Sequence, residues 1–231
     1  MNVNANNTET KKTRRRLLFY IVISFFVVPV ILFLPAGSID YWQAWLYLVS
    51  LYIPATYIVI YLWKHDFPLL LRRAKTREKD RTQGLLIQFI KYIFFIGFMI
   101  CGFDHRYHWS NVPAAAVITA DCFVLAGYLL IFLVLKENPY ASRIIEVEEG
   151  QKVIDTGPYA VVRHPMYSAS ILIYMPTPLA LGSFWALIPF AFLPVLMIFR
   201  LLLEEKTLRK NLPGYSEYCQ KIRYRLLPFI W

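Results

Sequence analysis

Two clusters near the end of the chain contain the side chains best suited to binding or catalysis. The first runs from Gly157-Pro158-Tyr159 to Arg163-His164-Pro165-Met166-Tyr167, and the second is Glu204-Glu205. Both adjoin apolar stretches, where a charged group loses solvation energy and usually marks a functional site. We therefore expect a polar ligand to bind where the two clusters meet.

The elements that must position these clusters are apolar helices. A membrane-spanning helix needs about 20 mostly apolar residues. Four stretches approach or exceed this length, 17–35, 42–63, 85–103 and 112–135, and two shorter ones follow at 167–182 and 184–203. Since little more than Ser183 separates the last two, they should form an antiparallel hairpin. The sequence predicts an all-α polytopic membrane helical bundle with five or six transmembrane helices.

The composition and the placement of the basic residues agree with a membrane protein. The chain of 231 residues is 58% hydrophobic and only 17% charged, which excludes an ordinary soluble domain. If the apolar stretches alternate in direction, 23 of the 25 Lys and Arg residues lie on one side, which the positive-inside rule assigns to the cytoplasm. The net charge of +10 therefore indicates a membrane orientation rather than a nucleic-acid partner. We expect a multi-pass protein with both termini cytoplasmic, in the inner membrane if it is bacterial.

The chain divides by composition into three parts. Residues 1–16 form a basic, disordered N-terminus, 17–135 a four-helix transmembrane region, and 136–231 a C-terminal region that should bind the ligand. Near its end, Tyr215 and Tyr218 share one helical face, which predicts an interfacial amphipathic helix. The three cysteines lack metal-ligand spacing, so no metal site is predicted.

Helix geometry brings the two clusters together. At 1.5 Å per residue the first shorter stretch climbs roughly 22 Å and the second descends about 30 Å at most, so Arg163-His164 and Glu204-Glu205 return to the same cytoplasmic edge. A guanidinium suits a carboxylate, an acidic pair suits an ammonium or a ribose diol, and aromatic faces suit a sulfonium or adenine. These are the functional groups of S-adenosylmethionine. The alternative is that the arginine and the acidic pair only neutralise each other at the headgroups.

The order of the motifs resembles that of the isoprenylcysteine carboxyl methyltransferase family and its phospholipid methyltransferase relatives. The resemblance covers about the last 100 residues: Glu137-Asn138-Pro139-Tyr140, the 157–167 motif, Glu204-Glu205, and Tyr224-Arg225-Leu226-Leu227-Pro228. It implies that 136–231 is a methyltransferase region that binds S-adenosylmethionine, while a lipophilic small molecule or lipid enters from the bilayer. No obligate protein partner is evident.

The resemblance also implies roles for individual residues. The cofactor-binding residues are Tyr159, His164, Pro165, Tyr167, Glu204 and Glu205, and the catalytic residues are Arg163, His164 and Glu204. The motif usually ends in a Gly where this chain has Ala169, so an extra methyl group stands where the cofactor or a neighbouring helix approaches the backbone.

The chemistry leaves alternatives open. Methyl transfer from a sulfonium is an in-line displacement that depends mainly on holding the reactants about 3 Å apart in a dry site. A carboxylate acceptor, such as that of an isoprenylcysteine-like molecule, is already ionised and needs no base, whereas a lipid amine needs one, His164 before Glu204. The competing interpretations are an NADPH-dependent enzyme resembling the sterol reductases, which share an Arg-His-Pro-x-Tyr motif, and a non-catalytic membrane binding module.

A few charged residues lie inside or between the apolar stretches. Lys91 should extend to the inner headgroups, and Asp121, near mid-bilayer, should form a hydrogen bond within the bundle. In the short outer loop we expect Asp104 to pair with Arg106.

Overall fold

Helices form all of the regular secondary structure in the computed structural model, which describes residues 19, 22–23, 25–75, 78 and 80–231. The helices are α1 (Phe25–Ala36), α2 (Trp42–His65), α3 (Phe67–Ala74), α4 (Arg81–Tyr107), α5 (Ala114–Glu137), α6 (Pro165–Tyr174), α7 (Thr177–Ala180), α8 (Leu187–Phe190), α9 (Leu193–Asn211) and α10 (Tyr215–Lys221). A 3-10 helix at Gly157–Ala160 stands between α5 and α6. The predicted all-α membrane helical bundle is confirmed.

Among the described residues, four segments are long and apolar enough to cross a membrane: α2, α4, α5, and Leu187–Asn211, which joins α8 and α9. Three of them coincide with the predicted stretches 42–63, 85–103 and 112–135. The fourth extends the predicted 184–203 by eight residues, to Asn211. The N-terminus 1–16 lies outside the described residues, as do positions 17, 18, 20, 21 and 24 of the predicted stretch 17–35.

The predicted stretch 167–182 is not one continuous helix. It is divided into α6, which ends at Tyr174, and the single turn α7. Pro176 and Pro178 lie at this break. Proline has no amide hydrogen for the helical ladder, and its ring collides with the preceding turn. The chain nevertheless returns as predicted, because α9 packs back against α6.

A glycine on α5 sets how closely α6 can approach it. A Cβ atom at Gly127 would lie 2.5 Å from Cγ1 of Ile173 and 2.9 Å from the carbonyl oxygen of Ala169. Ala169 itself is fully buried. The residue that departs from the usual motif therefore lies in the α5–α6 contact, where its small side chain suits close helix packing. Asp121, also on α5, is buried within the bundle with 3% of its surface exposed.

The end of the bundle where α2 begins is joined by buried polar contacts. The hydroxyl of Tyr41, at the start of α2, donates to the carbonyl of Leu181 after α7 (2.5 Å) and lies 3.2 Å from that of Cys101 on α4. The Tyr41 ring also stacks on His105, with centroids 4.0 Å apart. These contacts fix three segments to one another at this end.

A second contact at the same end centres on Asp104, which is 1% exposed. Its carboxylate accepts hydrogen bonds from the backbone and hydroxyl of Ser110, both at 2.7 Å, and from the hydroxyl of Ser183. The expected pairing of Asp104 with Arg106 is therefore wrong. A buried carboxylate needs several donors, and the serine hydroxyls and backbone supply them where an outward-pointing arginine does not.

Candidate functional site

Hydrogen bonds of Tyr159 and Tyr218 hold the segment before the Arg-His motif in place. Gly157 begins the 3-10 helix with φ +56°, a left-handed conformation that glycine adopts without strain. The side-chain amide of Asn138 donates to the hydroxyl of Tyr159 (2.8 Å), and the hydroxyl of Tyr218 donates to the Tyr159 carbonyl (2.8 Å). Burial raises the pKa of Tyr159 to about 12, so this phenol stays neutral at physiological pH.

Arg163 joins the two halves of the hairpin to the C-terminal tail. Its Nη2 lies 2.9 Å from Oε1 of Glu205, and the two residues are 6% and 4% exposed. Its Nη1 donates to the carbonyls of Cys219 and Ile222, both at 3.3 Å. Only Nε lacks a partner among the described residues. Most of the guanidinium is thus committed to contacts within the protein.

His164 is held in the same cluster at the start of α6. Its Nε2 lies 3.4 Å from Oε1 of Glu205 and 3.3 Å from the hydroxyl of Tyr215. Its backbone N–H donates to the carbonyl of Arg225 (3.0 Å), and the residue is 5% exposed. The imidazole is therefore fixed in orientation by its neighbours on α9 and α10.

The two residues of the acidic pair have different surroundings. The hydroxyl of Tyr167 donates to Oε2 of Glu204 at 2.7 Å. Glu205 faces the other way and also accepts from Nε of Arg225 at 3.1 Å. Successive residues of an α-helix point about 100° apart, since there are 3.6 residues per turn. Glu204 faces a cavity, and Glu205 holds the wall behind it.

This cavity has a volume of about 410 Å³ and lies between α4, α6, α9, α10 and the 138–154 segment. The predicted site residues that line it are Tyr159, Arg163, His164, Pro165, Tyr167 and Glu204. Its apolar side includes Ile87, Ile90, Phe94, Tyr174 and Met197. Glu205 is not among the lining residues. The structure thus brings both sequence clusters to one cavity that has a polar and an apolar side.

The α10 helix closes one wall of the cavity. Tyr215 and Tyr218 form the apolar face predicted from the sequence, and they are 3% and 6% exposed. They pack with Val147, Val153 and Leu208. Because protein covers this face, α10 contributes to the site.

Comparison with known families agrees with the motif. A family model described as phospholipid methyltransferase matches residues 115–213. Residues 115–213 are thus similar to the phospholipid methyltransferase family. The match runs from α5 past the end of α9, so it includes both the Arg-His motif and Glu204-Glu205. It confirms the resemblance inferred from the sequence, and it supports a membrane methyltransferase.

One cavity residue within the matched segment was not singled out from the sequence. Arg200 on α9 is 9% exposed and lies 2.7 Å from Glu78 through Nη2. Its Nη2 also donates to the carbonyl of Arg143 (2.9 Å), and its Nη1 donates to the side-chain oxygen of Gln83 (3.1 Å). Arg200 precedes Glu204 by four residues inside an apolar run, and that spacing places both side chains on one helical face.

A second cavity residue, whose place in the site was not predicted, lies on α4, outside the matched segment. Lys91 is exposed on α4 and lines the cavity together with its α4 neighbours, and its expected extension to the headgroups stays a prediction. A charged residue in an apolar helix was the available signal. The direction of the Lys91 side chain could not be predicted without knowing which face of α4 meets α9.

Proposed function

We propose that this membrane protein transfers a methyl group from S-adenosylmethionine to a lipophilic acceptor at the cytoplasmic side of the bilayer. The observation that carries the proposal is one cavity that is lined both by Glu204, Tyr167 and His164 and by apolar residues of α4. Such a cavity suits a polar cofactor and an apolar acceptor side by side. The cytoplasmic placement rests on the basic residues of the loops at this end of the bundle.

The lining residues fit the groups of S-adenosylmethionine. The volume of about 410 Å³ lies in the range of small-molecule sites. The carboxylate of Glu204 suits an ammonium or a ribose diol, and the tyrosine rings suit adenine or the sulfonium. The cations around the cavity suit the cofactor carboxylate, with Arg143 and Lys152 more accessible than Arg163.

The residues of the chain act mainly by positioning. When bound, the cofactor supplies a methyl group on a sulfonium. Tyr167 holds Glu204 through its 2.7 Å hydrogen bond, which fixes the carboxylate before the ligand arrives. The apolar wall from α4 excludes water from the place where the acceptor would lie. Holding two reactants in register in a dry site can lower the barrier by about 7–11 kcal/mol.

The acceptor determines whether a base is needed. A carboxylate such as that of an isoprenylcysteine-like molecule reacts as the anion, and an amine must lose a proton. Nε2 of His164 already contacts Glu205 and Tyr215. We therefore infer that His164 orients the ligands and Arg163 supports the wall, and that a carboxylate acceptor fits this site better than an amine.

A second candidate is an NADPH-dependent enzyme, because the basic lining of the cavity would also suit phosphate groups. Calorimetric titration of the purified protein in lipid nanodiscs with S-adenosylhomocysteine and with NADPH separates the two. We expect S-adenosylhomocysteine to bind and NADPH not to bind. Binding of NADPH alone would refute the proposal in favour of a reductase, and binding of neither would favour a non-catalytic module.

Turnover provides the direct test. The protein is incubated with methyl-labelled S-adenosylmethionine and a total lipid extract, and the labelled product is identified by mass spectrometry. We expect label in a lipophilic product and its loss in Glu204→Gln. The matched control is Glu217→Gln, which removes an exposed carboxylate of α10 away from the cavity.

A further inference from the structure

One face of α4 lines the apolar side of the cavity. Its residues Ile87, Ile90, Lys91 and Phe94 recur at the spacing of a single helical face. Three of them are apolar and the fourth is an ammonium. Lys91 is exposed at the surface of α4 while it also lines the cavity. It therefore stands at the edge of the cavity, where the α4 wall reaches the surface of the bundle.

The position of Lys91 along α4 separates it from the polar end of the site. Gln83 marks that end, because it contacts Arg200. Lys91 follows Gln83 by eight residues, or about 12 Å along the helix axis. An ammonium at this depth in an apolar helix is costly unless it meets an anion or water. The described residues form no ion pair with Lys91.

The charges around the cavity also favour an anion. The cationic lining residues are Arg73, Lys91, Arg143, Lys152, Arg163 and Arg200, and the acidic ones are Glu146 and Glu204. Two of the arginines already form ion pairs with carboxylates that do not line the cavity, Arg163 with Glu205 and Arg200 with Glu78. Lys91 is the cation of this set that comes from the apolar α4 face.

We propose that Lys91 binds the anionic group of the acceptor, so that the acceptor is an amphiphile with an apolar chain and a carboxylate or phosphate. The proposal rests on the proposed methyl transfer and adds the residue that selects the acceptor. The chain of the acceptor lies along Ile87, Ile90 and Phe94, and its anionic oxygens meet the ammonium at the edge of the cavity.

The first experiment measures acceptor binding without turnover. Radiolabelled dodecanoate is bound to the purified full chain in a neutral maltoside detergent and competed with dodecyl phosphate, dodecanamide and dodecylamine. We expect Lys91→Gln to weaken dodecanoate binding roughly ten- to a hundredfold, as loss of one charge-assisted hydrogen bond implies. Lys91→Arg should retain most of the affinity, and dodecanamide should compete equally against both proteins.

The matched control is Lys136→Gln, which removes an exposed lysine of α5 that does not line the cavity. It should bind dodecanoate as the unmodified protein does. The proposal is overturned if Lys91→Gln binds dodecanoate with unchanged affinity, or if dodecylamine competes better than dodecanoate. Thermal unfolding of each variant shows that it is folded.

A turnover arm separates the two sources of the anion. Methyl-labelled S-adenosylmethionine is supplied with dodecanoate or with phosphatidylethanolamine, and the product is treated with alkali. A methyl ester releases its label as methanol, whereas an N-methyl product does not. Either product supports the role of Lys91 if its yield falls at least tenfold in Lys91→Gln, and a yield insensitive to that change overturns it.

S-adenosylhomocysteine binding distinguishes this proposal from the proposed function. We expect Lys91→Gln to retain its affinity for S-adenosylhomocysteine. If the unmodified protein fails to bind S-adenosylhomocysteine, the methyltransferase proposal fails regardless of dodecanoate. If both proteins bind it and dodecanoate binding is unaffected by the substitution, only the role of Lys91 fails.

Discussion

Replacing each residue of the acidic pair separately by its amide distinguishes ligand binding from stability. Glu205 is 4% exposed, 2.9 Å from Arg163 and 3.1 Å from Arg225. Glu205→Gln leaves the buried Arg163 guanidinium without its counter-charge. Removing one partner of a buried ion pair costs about 3–5 kcal/mol. At about 2–4 °C per kcal/mol for a chain of this size, the midpoint of unfolding should fall by roughly 6–20 °C.

Glu204→Gln should weaken ligand binding and leave the stability of the protein almost unchanged. The amide oxygen can still accept the hydrogen bond from Tyr167, so the stability should change by less than about 1 kcal/mol. If Glu204 binds the ammonium or ribose of the cofactor, the loss of its charge should weaken S-adenosylhomocysteine binding about 10- to 150-fold, from about 1.5–3 kcal/mol for a charge-assisted contact.

Two measurements on the same samples test this contrast. Tryptophan fluorescence during heating in detergent gives the unfolding midpoint, and calorimetry gives the affinity for S-adenosylhomocysteine. Glu217→Gln serves as the control for both. The reasoning is refuted if Glu205→Gln unfolds within 2 °C of the unmodified protein, or if Glu204→Gln loses as much stability as Glu205→Gln.

Packing and charge elsewhere give two more expectations. Gly127→Ala should lower stability by about 1–3 kcal/mol, because its methyl group would lie 2.5 Å from a side chain of α6. The control Gly84→Ala should not lower stability, because its methyl group would meet nothing within 4 Å. Equal unfolding midpoints for the two variants would contradict this account of the packing. The hydrogen bond from Arg72 holds the pKa of Glu148 below its usual range. The Arg72–Glu148 pair therefore stabilises the fold at neutral pH, and this stabilisation is lost as the pH falls through the lowered pKa. Glu148→Gln should thus cost up to about 1 kcal/mol at neutral pH and nothing in strong acid, as followed by thermal unfolding at each pH.

The long helices could be predicted because each one is an uninterrupted apolar run. The α2, α4 and α5 helices follow the predicted stretches closely for this reason. The division between α6 and α7 was harder to predict, although Pro176 and Pro178 were visible in the sequence. Proline can either kink a helix or end it, and the packing of its neighbours decides between the two.

The helices that form the candidate site could be predicted from the sequence, but the directions in which their side chains point could not. The return of the hairpin follows from segment lengths, and it brings Arg163 beside Glu205. The surroundings that Glu204 and Glu205 each meet depend on the rotation of α9 against its neighbours. The same is true of Lys91 on α4. A sequence gives the periodicity of a helix, and tertiary packing sets its rotation about the axis.

The polar junction around Tyr41 has a consequence for how a lipid reaches the cavity. It ties α2 and α4 to the segment after α7 at one end of the bundle, while the cavity lies toward the other end of α4 and α9. A lipid chain that enters between α4 and α9 should therefore separate them at the cavity end, where the hydrogen bond from Arg200 to Gln83 joins the two helices, while the Tyr41 junction holds the far end together. Loosening the Tyr41 junction, far from any reacting group, should alter how fast lipids exchange with the cavity.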